Sequence, residues 1–345
     1  MTHVRTVLGP VSPAELTGIM HHEHLLSLTP GPWLSGGRRR DEHDDHVAHD
    51  EDQVQHAVAA LSGLPALGIN TVVDLSPYGV VGRDDDGDNV ALLQEISRRS
   101  GLHIVAGTSV YLESYSPQWA READLRTMTA RFVADVTDGI GTGRVPAGIF
   151  GEQATGLNEI TTHEEKCFRA AARAHRDTGL AMTTHTTHGT MALEQIEILR
   201  QEKADLNRVV IGHMDTRPDL DYVREVLATG VSIAFDTIGK QNWDFFLAPP
   251  PAVRRDGEYT KNAYHQSDTT RARWLMQLLR DGFEDQILLA QDLTGAEVYL
   301  NPDTHGQWGY SYLASVFKTL LLELGTEPAH LHKLLHDNPV RLLAS

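Results

Sequence analysis

The chain contains a single cysteine, Cys167, among 345 residues. No disulfide can form within it, so an oxidising compartment is not implied. Lysine is sparse as well, with six against 24 arginines. Acidic residues outnumber basic ones by 47 to 30, a formal net charge of −17. That balance argues against unaided binding to nucleic acid or to an anionic membrane. No apolar run approaches the roughly 20 residues of a transmembrane helix. Met1–Pro10 holds no cationic segment followed by an apolar stretch. No signal peptide is therefore expected, and the cytoplasm is the expected location. There is no repeat of solenoid period and no low-complexity tail.

What is present is an ordinary globular composition, 41% hydrophobic and 22% charged, with an excess of histidine at 19. The length would suit two average domains, but α/β barrels of 200 to over 400 residues form single units. No internal boundary is visible, so one domain over 1–345 is expected. Eight short apolar runs recur: Gly18–His22, Asn70–Asp74, His103–Gly107, Ala147–Gly151, Ala181–His185, Val209–His213, Val231–Asp236 and Gln286–Asp292. They lack strict alternation, as strands buried on both faces do. Each is followed by a segment with apolar residues at three- and four-residue spacing: Gln53–Gly63, Asp88–Arg99, Ala123–Asp138, His163–Thr178, Met191–Glu202, Asp219–Thr229, Ser267–Leu279 and Tyr310–Leu324. Eight strand–helix alternations predict an α/β fold, a (β/α)8 TIM barrel, ahead of an open doubly wound sheet. Two irregular stretches, Pro30–Asp52 and Asn242–Lys261, follow the first and seventh strands. They are expected as long loops on the catalytic face.

The strand ends carry the chemistry. His22-Glu23-His24 closes the first strand, and the side-chain period of two directs His22 and His24 to one side. His21 and Glu23 are expected to point the other way. Glu152, His185, His213 and Asp292 stand at the ends of the fourth, fifth, sixth and eighth strands. Barrels place their active sites there. Four histidines, one glutamate and one aspartate exceed what a single catalytic zinc requires. They suit two divalent ions about 3.5–4 Å apart, with Glu152 as the natural bridge. Zinc is the first choice, with manganese, cobalt or iron as alternatives. A bridging hydroxide would attack the substrate, and Asp292 would pass its proton to the leaving group. Cys167, beside Phe168 and Ala170, reads as a packing residue.

These residues, with Thr71–Asp74, Gly82-Arg-Asp84, His103–Thr108 and Phe235-Asp236, resemble the phosphotriesterase family of the amidohydrolase superfamily in order and spacing. The resemblance implies that His22, His24 and Asp292 bind the more buried ion and that His185 and His213 bind the more exposed one, with Glu152 bridging. Gly148-Ile-Phe-Gly-Glu152 has no lysine, where well-known members carry a carboxylated lysine bridge. It is similar to the Glu-bridged phosphotriesterase homology proteins, as is Phe235–Lys240. The expected activity is hydrolysis of a lactone or carboxylic ester. Alternatives are an amidohydrolase of small N-acyl amines, a phosphotriesterase, or a non-catalytic ligand-binding barrel. The expected partners are a small-molecule substrate and, by resemblance, a second copy in a homodimer.

Tyr111 resembles a substrate-facing tyrosine of lactonase relatives and reads equally as wall packing. Asp215, two residues after His213, is either a carboxylate that orients an imidazole, with a proton relay implied by the resemblance, or a solvated loop acid. His188, Asp236 and Lys240 lie close enough to strand ends to touch substrate. Arg83 is expected to pair a carboxylate. Arg38–Arg40 and the group His43, His46, His49 and His56 read as solvated loop residues. Seven acids within Asp41–Asp52 and four within Asp84–Asp88 are expected to rim the catalytic end.

Overall fold

Apolar runs too short for helices and flanked by amphipathic segments build a parallel sheet covered by helices. The computed structural model describes residues 2–27, 50–79, 82–240, 266–295, 298 and 309–345. Eight strands form one sheet in chain order: β1 Ile19–Glu23, β2 Thr71–Asp74, β3 His103–Thr108, β4 Ala147–Thr155, β5 Met182–Thr186, β6 Val209–Ile211, β7 Ser232–Phe235 and β8 Ile287–Leu289. Every pairing along it is parallel. The helices Asp50–Leu61, Ala91–Ser100, Leu125–Thr137, Thr162–Thr178, Ala192–Gln201, Leu220–Ala228, Asp268–Arg280 and Lys318–Glu323 follow the strands in turn. This is the expected (β/α)8 barrel. Among the described residues, no helix is long and apolar enough to cross a membrane.

The barrel closes at a seam between β1 and the residues just after β8. Asp292 N–H donates to His22 O at 3.0 Å, and His24 N–H donates to Leu293 O at 2.9 Å. The Glu23 carboxylate adds two more bonds, accepting from the N–H groups of Gln291 and Leu293, each at 2.9 Å.

Two apolar layers follow from strand alternation. Ile19, Val73, Val105, Ile149, Val210, Ala234 and Leu288 fill the barrel interior, together with Ala181 just before β5. Their neighbours Met20, Val72, Ile104, Phe150, Val209, Ile233 and Ile287 face the helices. Each large side chain so buried contributes roughly 1.5–3 kcal/mol. The interior is also filled from outside the expected elements. A hairpin of Val4–Thr6 and Gly9–Val11 contributes Val4, and a C-terminal helix, Asn338–Leu343, contributes Leu342 and Leu343.

Strand lengths depart from expectation where polar residues begin. β4 runs four residues further than its apolar core, because Gln153, Ala154 and Thr155 pair with Thr184, His185 and Thr186. β6 stops at Ile211, because His213 turns into the left-handed region at φ 59°. The loop stretch expected from Pro30 to Asp52 gives way at Asp50 to a helix. The rest of it lies outside the described residues, with Arg38–Arg40, His43, His46 and His49, as does 242–261.

Thr162–Thr178 shows how sequence sets one element. Thr161 and Glu164 exchange side-chain bonds with each other's backbone N–H, and Gly179 ends the helix at φ 74°. Cys167 is buried on its inner face, and burial pushes the thiol up to about 12. That matches a packing role.

Candidate metal centre

Three backbone features aim side chains into the C-terminal mouth of the barrel. First, the pairing of β1 with β2 shifts register between Met20 and Glu23. Ile19 faces inward, and His21 Nε2 meets Thr183 Oγ1 at 3.1 Å. The slip then lets His22 face inward too, so His21 does not point opposite to His22 as strict alternation predicts. Second, Gly151 sits at φ 153°, and a Cβ there would approach Thr183 O to 2.9 Å. Gly212 is closer still, since its Cβ would meet Thr184 O at 2.3 Å. Glycine lets β4 and β6 lie against β5 just before Glu152 and His213. Third, His213 and Asp292 adopt left-handed φ values of 59° and 51°. Such non-glycine conformations cost roughly 1–3 kcal/mol each and gather at functional sites.

The six residues expected at strand ends converge. His22 Nε2 and His24 Nε2 are 3.2 Å apart. Asp292 Oδ1 lies 2.9 Å from His24 Nε2 and 3.5 Å from His22 Nε2. Glu152 Oε1 lies 3.4 Å from His24 Nε2, and Oε2 lies 3.3 Å from His22 Nε2. On the other side, Glu152 Oε2 is 3.2 Å from His185 Nδ1 and 3.5 Å from His213 Nε2. The two imidazoles approach to 2.8 Å between His213 Nε2 and His185 Nδ1. Two donor sets able to hold a metal ion result: His22, His24, Glu152 and Asp292, and Glu152, His185 and His213. Glu152 belongs to both.

Asp236 sets the state of these rings. Its Oδ2 is 2.8 Å from His22 Nδ1, and its Oδ1 is 2.9 Å from His213 Nδ1. Oδ1 also accepts from the His213 backbone N–H at 2.9 Å. A carboxylate only accepts, so both Nδ1 atoms carry hydrogen. In the neutral rings the lone pairs then sit on Nε2, facing the carboxylate oxygens of Glu152 and Asp292. Imidazole lone pairs that converge with carboxylate oxygens make a donor set that fits divalent metal. Asp236 is among the residues that could touch substrate or support the ligands. It is fully buried behind two of the imidazoles, the supporting position.

Electrostatics agree. Burial alone would lower the His22 imidazole, but Glu152 and Asp236 hold it up at about 10. His213 is likewise held well above its ordinary range by Asp236 and Glu152, against burial. Burial would raise the carboxyls, yet His22 and His185 keep Glu152 far below its usual range. Lys240 and His24 do the same for Asp292. Two buried carboxylates, Glu152 and Asp236, and the half-buried Asp292 demand positive charge, and protons on the imidazoles supply it when metal does not.

The other expected residues are placed as follows. The Tyr111 hydroxyl is 3.2 Å from His185 Nδ1, with the two rings edge to face at 4.8 Å. His188 is buried in the turn after β5, and burial, with His185 and His213, pushes it down to about 3. Lys240 Nζ donates to Asp292 Oδ2 at 2.8 Å. Arg83 is fully buried, donates to Gly107 O at 2.6 Å and stands 3.6 Å from Asp74, the expected carboxylate. His56 lies on the exposed side of its helix.

Asp215 neither orients an imidazole nor lies in solvent. Its Oδ2 accepts from Arg271 Nε at 2.8 Å and from Thr237 Oγ1 at 2.6 Å. The reason is Arg271, a fully buried guanidinium that the sequence did not single out. It also donates to Asp268 Oδ1 at 2.8 Å and to Lys240 O at 3.2 Å. The pair thereby holds the segment that carries Lys240. Burial pushes the Asp215 carboxyl up, and Arg271 opposes it. Arg271→Leu leaves that carboxylate buried and unpaired and is expected to destabilise the fold by about 3–5 kcal/mol. Denaturant unfolding checks this, and a midpoint equal to wild type would contradict it.

Known proteins are similar to this chain over most of its length. A model described as the phosphotriesterase family matches residues 2–343. The Escherichia coli (strain K12) phosphotriesterase homology protein is 28% identical over 289 residues, 84% of this chain and 88% of that one. An N-acetyltaurine hydrolase of Dictyostelium discoideum is 27% identical over 322 residues, 92% of this chain and 80% of the relative. Among solved structures, a mutant of a Deinococcus radiodurans PTE-like lactonase superposes with a TM-score of 0.81 at 29% identity, covering 99% of both chains.

Proposed function

Since the chain belongs to the phosphotriesterase family, whose members are metal-dependent hydrolases, we propose that it hydrolyses a lactone or carboxylic ester with two divalent ions, zinc first among them. The observation that carries this reading is Glu152, which stands between the two donor sets, with Oε1 3.4 Å from His24 and Oε2 3.2–3.5 Å from His22, His185 and His213. His22, His24 and Asp292 would hold one ion, His185 and His213 the other, and Glu152 both. When bound, such ions lower the pKa of a water between them and polarise the scissile carbonyl.

The chain's own residues do the rest. Asp236 keeps His22 and His213 in the tautomer that presents Nε2. Lys240 pairs with Asp292 Oδ2 and keeps that carboxylate ionised, able to accept the proton of the attacking water. As the new C–O bond forms and the ester C–O bond breaks, the proton passes from Asp292 to the leaving alkoxide. Tyr111, beside His185 at the edge of the centre, would contact the substrate.

The lactonase neighbour supports an ester-type bond. The N-acetyltaurine hydrolase relative favours a second reading, cleavage of a small N-acyl amine. Turnover by zinc- and manganese-loaded protein on lactones, aryl esters, N-acetyltaurine and a phosphotriester separates them. Lactone or ester kcat/KM is expected to exceed the others by at least about tenfold, or 1.4 kcal/mol. A faster amide would replace the first reading with the second, and no turnover at all would remove both.

A further inference from the structure

We propose a separate metal site at the opposite end of the barrel, made by His332, His336 and Asp337, for a divalent ion of the zinc, nickel or copper class. Leu16 precedes β1, and its carbonyl oxygen lies 3.1 Å from His336 Nε2. A carbonyl only accepts, so Nε2 carries the hydrogen and the ring's lone pair falls on Nδ1. That atom lies 2.7 Å from Asp337 Oδ1, where two acceptors confront each other. His332 Nε2 stands 3.3 Å from the same oxygen. The two rings stack with centroids 4.5 Å apart and 19° between planes. One ligand atom from each of the three residues lies within 4.8 Å of the others. The contact to Leu16 is the kind that metal-binding imidazoles use to fix ring orientation, a second nitrogen donating to a backbone carbonyl.

The backbone is shaped for this grouping. His332 and His336 are four residues apart and share a helix face. Asp337 is five residues from His332 and would leave that face in an α-helix. The turn Lys333–Asp337 is instead a π-helix, whose i→i+5 bonding returns the fifth residue to the same side. Lys333, within the turn, makes its ion pair with Asp285 at 2.7 Å. His332 and His336 also border a cavity of about 250 Å³ with Thr17, Gly18, Leu331 and Leu335, which leaves room for water on the ion's remaining position.

An extra proton on His336 would resolve the same confrontation, so the test counts metal. Protein whose barrel centre is already loaded is freed of excess metal and dialysed against micromolar Zn²⁺. Wild type is expected to hold one more ion per chain than H332A or D337N. Its thermal midpoint should also rise with added Zn²⁺, while those of the variants stay put. The side chains of His332 and Asp337 are 61% and 51% exposed, so both substitutions spare the core. Equal metal content in the three proteins, or an equal thermal response, overturns the proposal.

Discussion

Glu152→Gln is expected to lose at least one active-site ion per chain and most of the hydrolytic rate. Glu152 is 2% exposed, and its two oxygens lie 3.2–3.5 Å from all four histidine nitrogens of the centre. The amide keeps the shape but removes a negative charge and one acceptor oxygen. Each ion then loses part of the field that holds it. Lewis-acid and water activation by a metal are worth several kcal/mol, so the loss in kcat is roughly 10²–10⁴-fold. Elemental analysis reads the first effect and turnover the second. Two ions retained at full rate would remove Glu152 from the bridging role.

Asp236→Asn acts one layer further out and reaches both halves of the centre. The native carboxylate holds Nδ1–H on His22 and on His213. An asparagine offers one acceptor and one donor, so at least one ring must present its lone pair to the amide. That ring then points Nε2–H at the metal position. Loss of a carboxylate that orients a ligating imidazole commonly costs 10–100-fold in metal affinity. Zinc titration against a competing chelator is expected to show weakening on that scale, together with a fall in kcat. The thermal stability of the metal-free protein should move far less than with Arg271→Leu, whose partner carboxylate is left buried without a cation. An unchanged zinc affinity would mean that Asp236 does not set the tautomers.

The barrel was legible because its strands are apolar runs, and the candidate metal donors sit where those runs end. His22, His24, Glu152, His185, His213 and Asp292 could all be picked out by that position. The hairpin at Val4–Val11 could not, since its two three-residue strands carry no periodic pattern. The C-terminal helical stretch from Pro328 to Leu343 lies beyond the eighth alternation, which already completes a barrel, although Leu331, Leu334, Leu335 and Leu342 hold helical spacing. The work of Asp236 was hidden for another reason. Its partners come from β1 and from the turn after β6, and only the curvature of the sheet brings them to one carboxylate. The partner of Asp215 is not legible in the sequence, because Arg271 lies 56 residues away on a helix. The expected homodimer, like the identity of the substrate, depends on surfaces and loops rather than on strand ends.

The seam has a mechanical side. Glu23 grips the amides of Gln291 and Leu293, while its chain neighbours His22 and His24 face the next residue along, Asp292. Barrel closure and the spacing of three donor atoms are therefore one degree of freedom. Any breathing of the sheet between its first and last strands opens the donor set by the same movement. Hydrogen exchange at the amides of Gln291 and Leu293 thus gauges the centre from its outer side, and a bound ion would act as a rivet across the seam.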